Sequence, residues 1–205
     1  MTKLKSIYQK MWKVAKPHYE DGRVFDIPQI EWMLKVAQKV IKNEKLDEEV
    51  FIPLIILHDI GYTGIEEKAP NVKDAEIKRD HMIKGAKIAK KILQSFDLPT
   101  EKKEKVVELI SIHDNWALGD NEPYKKSKDL AVFTDLDYMF PLISYNLFQV
   151  RADGLGEEIR ESFEHFITTE EKLINRPLCC QSTKEIFNDL IDNFKKELDE
   201  RIRAN

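Results

Sequence analysis

The chain has 205 residues, of which 42% are hydrophobic and 34% charged, and its formal net charge is −4. That length suits one domain with its own buried core and a strongly charged surface. The acidic balance argues against a nucleic-acid partner, which calls for a basic excess, and the longest apolar run, Phe51–Leu57, falls far short of a membrane span.

The N-terminal MTKLKSIYQKMWKVAK is amphipathic and rich in lysine, without the apolar central block of a secretory leader. Leu4, Ile7, Tyr8, Met11, Trp12 and Ala15 form a helical stripe that Pro17 is expected to end. A second helix opens near Asp26 and Pro28 and carries Ile30, Met33, Leu34, Ala37, Val40 and Ile41. Asp47 is placed to cap a third, through Leu54, Ile55 and His58, with a start made irregular by Pro53. Asp80 is expected to cap the next, with Ile83, Ala86, Ala89 and Leu93 inward. Pro99-Thr100 opens a helix through Leu109 and His113, and Ser127 opens one through Leu130, Phe133, Leu136 and Phe140. The last third gives Phe163 and Phe166, and then a capping box from Ser182 to Glu185 ahead of Ile186, Leu190, Phe194, Leu198 and Ile202. No strand alternation and no repeat is evident, so the fold class is all-α. The main turn signals lie in Gly61–Val72 and Asn115–Ser127, directly after His58-Asp59 and His113-Asp114. The adjacent Cys179 and Cys180 make no disulfide framework and fit a reduced, cytoplasmic setting.

Three of the five histidines share a pattern. His58 and His113 each end an apolar helix and precede an aspartate, and His81 is followed one helical turn later by Gly85, on the same face. A glycine there lets a neighbouring segment approach closely. Asp135, between Phe133 and Leu136, is drawn inward, with Asp137 as its alternative. Imidazole and carboxylate suit borderline and hard divalent ions, and such an ion explains how carboxylates tolerate burial. A divalent ion with an open position makes hydroxide available near neutral pH.

The stretches LIILHDIGY (Leu54–Tyr62), HMIKGA (His81–Ala86), LISIHD (Leu109–Asp114) and Asp135-Leu-Asp137 stand in an order and spacing that resemble the HD-domain metal-dependent phosphohydrolases, over roughly residues 20–145. The resemblance implies a helical bundle of the HD type. We expect one domain over residues 1–205, with additional N- and C-terminal helices and the C-terminal extension at 146–205. It implies a hydrolase acting on a small phosphorylated molecule, most plausibly a nucleotide, with one or two divalent ions (Fe, Mn, Mg, Co or Ni) per chain. His58, Asp59 and Asp135 would be ligands of a first metal. His81 and His113 would hold a second metal or the substrate phosphate, and Asp59, His81 and His113 would carry the catalysis. One position departs from the family pattern. In the frame where a first histidine is expected, about 29 residues before His58, the chain has Gln29, and another register puts Trp32 there. The glutamine amide oxygen is a weaker ligand than imidazole. The site could borrow His18 or Glu31, or be a degenerate module that binds a nucleotide or a protein without chemistry. Lys84, Lys125 and Lys128 are candidate phosphate contacts, as is Arg23, although solvated surface charge is the simpler reading of all four.

Overall fold

A computed structural model describes residues 4–64, 74–168, 173–174 and 176–204. Among them there is no strand, so the fold is all-α as expected. The helices are α1 (Ser6–Asp21), α2 (Asp26–Glu44), α3 (Glu48–Leu57), α4 (Ala75–Leu93), α5 (Thr100–Ile110), α6 (Glu122–Lys126), α7 (Lys128–Tyr138), α8 (Tyr145–Leu155), α9 (Ile159–Thr168) and α10 (Gln181–Ala204). Single 3-10 turns lie at Ile60–Tyr62, Asn115–Leu118 and Phe140–Ile143. No helix among the described residues is long and apolar enough to cross a membrane. The chain divides into two compact units, Met1–Thr134 and Asp135–Asn205, with the division inside α7.

The first unit is organised around α3. All eight residues from Val50 to Leu57 are buried, so this helix has no solvent face and packs against α1, α2 and α5. Asp47 caps it by accepting a hydrogen bond from Glu49 N (3.0 Å). Pro53 sits inside it without ending it. Nor does Pro17 end α1, which runs on to Asp21. The missing hydrogen bond is outweighed by tertiary anchoring: Tyr19 is buried and its hydroxyl donates to Ile56 O at 2.9 Å.

Helix α4 packs against α5 and against the 3-10 turn after His58. It begins at Ala75, earlier than expected, because Asp74 takes the cap and accepts from Glu76 N (2.8 Å) and Ile77 N (3.1 Å). Asp80 is therefore an internal residue, and His81 lies well inside the helix. The contact between α4 and the turn is made through glycines. A Cβ on Gly61 would come within 1.9 Å of His81 O and 2.6 Å of Gly85 N, whereas one on Gly85 would meet nothing closer than 3.3 Å. Gly85 does permit the approach, but Gly61 is the position where backbone meets backbone.

The segment Asn115–Ser127, expected as a loop, holds the second 3-10 turn and α6. Tyr124 organises it, accepting from Trp116 N (2.8 Å) and donating to His113 O (2.9 Å). Most of the other turn-rich stretch, residues 65–72 of Gly61–Val72, lies outside the described residues.

In the second unit, Phe148 packs against Phe163, Phe166 and Phe194 with ring centroids 4.8 to 5.8 Å apart. Tyr138 stacks on Phe166 and donates its hydroxyl to that residue's carbonyl at 3.1 Å. The last helix starts at Gln181, ahead of Ser182, and the Glu185 side chain accepts from Gln181 Nε2 (3.1 Å). The side chain of Ile202 lies outside the described residues.

Candidate metal centre

The same local device occurs twice. Helix α3 ends at His58 and Asp59, and α5 leads through Ser111 and Ile112 to His113 and Asp114. Each aspartate then opens a 3-10 turn, Asp59 with φ −98° and ψ 10°, Asp114 with φ −103° and ψ 13°. These are bridge-region backbones of the kind found at turns and active sites. Each histidine folds back so that Nδ1 meets the carbonyl three residues earlier, His58 on Ile55 O (3.0 Å) and His113 on Ile110 O (2.8 Å). His81, on α4, meets the carbonyl four residues earlier, Ile77 O, at 3.3 Å. An Nδ1–H donated to a carbonyl fixes ring orientation and leaves Nε2 to face the interior.

The three Nε2 atoms face the carboxylate of Asp59. Its Oδ1 lies 3.1 Å from His113 Nε2 and 3.4 Å from His81 Nε2, and those two nitrogens are 3.3 Å apart. Its Oδ2 lies 3.5 Å from His58 Nε2. His58, His81 and His113 are all buried, and Asp59 is 6% exposed. The ring of Tyr62 stacks on His81 at 4.2 Å, and Phe133 packs edge-on against both His58 and His113.

Two cations, the buried Arg23 and the half-buried Lys78, flank this group. Arg23 reaches Asp26 Oδ1 at 3.0 Å and Asp59 Oδ2 at 3.9 Å, and lies over the rings of Phe25 and Tyr62. Lys78 pairs with Asp114 Oδ2, which is 3.8 Å from His81 Nε2. Burial works against the ionised carboxyl of Asp59, but His58, the hydrogen bonds of His113 and His81, and Arg23 together hold it well below the usual range. Asp114 is held low in the same way, against burial, chiefly by Lys78. The imidazoles diverge. Burial lowers His81, whereas for His113 burial is outweighed by Asp59 and Asp114, and the ring is pushed up to about 9.

The profile of the HD domain matches residues 30–139, more than half of the chain. The chain belongs to the HD-domain family. No curated protein and no solved structure matches it. HD domains form a superfamily of metal-dependent phosphohydrolases, and the donor set of this HD domain fits a divalent ion. Asp59, His81 and His113 each offer one ligand atom, and the three atoms lie within 4.8 Å of one another. They supply one anionic oxygen and two imidazole nitrogens whose second ring nitrogens are already engaged, a mixture suited to borderline divalent metals.

The remaining expected residues of the HD domain are placed as follows. Gln29 is buried in the first turns of α2, and Trp32 is half-buried. Asp135 is fully buried, as its pattern suggested, and Asp137 is half-buried. Within its own unit, Asp135 Oδ2 accepts from Cys179 N (2.7 Å) and Thr183 Oγ1 (2.8 Å), and its Oδ1 lies 3.5 Å from Arg176. Lys84 donates to Thr63 O. Lys125 is exposed and bonded to Glu122, and Lys128 is exposed and bonded to the carbonyl and carboxylate of Glu44. His18 bonds Thr63, and His165 is an exposed neighbour of Glu157.

Three roles escaped the sequence reading: Asp114 reads as a loop or cap residue, Lys78 is not among the candidates, and Arg23 is a candidate phosphate contact rather than a partner of Asp26 and Asp59. Signals for them did exist: a second His-Asp pair repeating the first, a lysine three residues before His81 on the same helix face, and an arginine three residues before an aspartate.

Proposed function

We propose that the chain is a metal-dependent phosphohydrolase acting on a small phosphorylated molecule, most plausibly a nucleotide. The observation that carries this reading is the convergence of Asp59 Oδ1 with the Nε2 atoms of His81 and His113, all within 3.4 Å of one another. Asp59, His81 and His113 are the ligands we assign, and His58 flanks them. When bound, a divalent ion supplies Lewis-acid chemistry, stabilising charge on phosphoryl oxygens and making hydroxide available near neutral pH.

The protein's own groups do the rest. Ile77 O and Ile110 O hold the rings of His81 and His113 in one orientation. Tyr62, stacked on His81, fixes that ring's plane. Arg23 and Lys78 keep Asp59 and Asp114 ionised. Lys84, one turn from His81 on α4, is the cation we assign to the substrate phosphate.

The alternative is an HD module that binds a nucleotide or partner without chemistry. Gln29 favours it, because an amide at the expected first-histidine position weakens any site that depends on it. A screen against nucleotides and generic phosphate esters with Mn²⁺, Mg²⁺, Fe²⁺ and Co²⁺ separates the two. Turnover that is lost in Asp59→Ala is expected. Bound metal with no turnover on any substrate would favour the binding module.

A further inference from the structure

The two oxygens of Asp59 face different surroundings. Oδ1 faces the Nε2 atoms of His113 (3.1 Å) and His81 (3.4 Å). Oδ2 faces His58 Nε2 (3.5 Å) and, on its other flank, the guanidinium of Arg23 (3.9 Å). That guanidinium is not a mobile surface charge. Arg23 is 5% exposed and paired with Asp26, and its Cζ lies 4.6 Å from the Phe25 ring centre and 4.2 Å from that of Tyr62. Guanidinium keeps its charge at any working pH, and ring faces on the guanidinium add cation–π attraction to the ion pair.

We propose that this centre takes a single divalent ion, held on the Oδ1 side by Asp59, His81 and His113, and that Arg23 is a built-in cation on the Oδ2 side that keeps a second ion out. The proposal rests on the metal-dependent reading above and specifies its stoichiometry. A carboxylate that bridged two ions would present Oδ2 to the second, and here a fixed positive charge already lies against that oxygen. Charge balance points the same way. Asp26, Asp59 and Asp114 face Arg23 and Lys78, which leaves one net negative charge with the imidazoles neutral. One divalent ion turns that into one positive charge, enough to attract a phosphate. A second would leave three positive charges in a buried site, where like charges repel strongly and solvation is lost. The single-ion arrangement makes Arg23 a positioning residue: it keeps Asp59 ionised and turns its other oxygen toward the two imidazoles.

The test is to load metal-free protein with excess Mn²⁺, remove unbound ion, count manganese per chain by elemental analysis and record the paramagnetic resonance spectrum. One ion per chain with the six-line signal of isolated Mn²⁺ is expected. Two ions per chain, or a spin-coupled signal, would overturn the proposal while leaving metal dependence intact. No retained ion would overturn the metal-dependent reading and this one together. Arg23→Gln removes the fixed charge, leaves two net negative charges facing the site, and should admit a second ion. Arg23→Lys, which keeps the charge, should still bind one. If the folded Arg23→Gln variant also binds only one ion, the role given to Arg23 is wrong. Should that variant fail to fold, the wild-type count and spectrum still decide the stoichiometry.

Discussion

Asp59 is the residue on which the site turns, since both its oxygens are engaged and three imidazoles face it. Replacing it with alanine leaves His58, His81 and His113 without their shared anionic partner, and bound metal and turnover should both disappear. Elemental analysis and a phosphate-release assay check this, and metal retained in Asp59→Ala would count against the assigned ligands. His113→Ala removes one of the two nitrogens at Oδ1 and should lower metal affinity by 10-fold or more, roughly the scale reported for perturbing even the outer shell of a metal site. Gly61 fails for a different reason. A methyl there would collide with His81 O and Gly85 N, which are backbone atoms and cannot rotate away. Gly61→Ala should cost about 3 kcal/mol or more, at or beyond the upper end of ordinary overpacking, and should displace His81 from Asp59. Gly85→Ala should be far milder, since its nearest contact would be 3.3 Å. Equal stabilities in denaturant titrations would contradict the close approach assigned to Gly61.

At the scale of elements, the sequence announced the helices that carry their own start signals. Asp47 and Pro99-Thr100 open α3 and α5 where the pattern placed them. Asp47→Ala should therefore cost about 1 kcal/mol through the lost cap, read as a shift in denaturation midpoint. The misreadings came where tertiary contacts override a local signal. Pro17 would end an isolated helix, but the buried Tyr19 and its bond to Ile56 O carry α1 past it. Asp80 looks like a cap until Asp74, six residues earlier, is seen to hold the first-turn amides. The site was legible to the extent that its residues lie in motifs: Asp59, His81 and His113 lie together, with His58 beside Asp59. The pairing of Arg23 with Asp26 and Asp59 and of Lys78 with Asp114 was not legible, because nothing in a charged residue's immediate neighbours says which distant carboxylate packing will bring to it. Tyr62, the residue that follows the His-Asp-Ile-Gly run, is the ring stacked on His81 and under Arg23.

At the scale of the whole molecule, each unit has its own core, α3 in the first and the aromatic cluster around Phe148 in the second. Phe148→Ala should cost about 3–5 kcal/mol, as expected for emptying a buried ring site. An ion that binds only the folded protein should stabilise it by about 2.7 kcal/mol at a free concentration 100-fold above Kd. For a chain of this size that amounts to roughly 2–4 °C in Tm for each kcal/mol. Calorimetric scans with and without Mn²⁺ check it, and the gain should be absent in Asp59→Ala. The account stands most directly on the metal content of protein purified without chelator, set beside that of Asp59→Ala prepared identically. It predicts a divalent ion in the wild type and none in the variant; equal metal content in the two, or none in either, would contradict it.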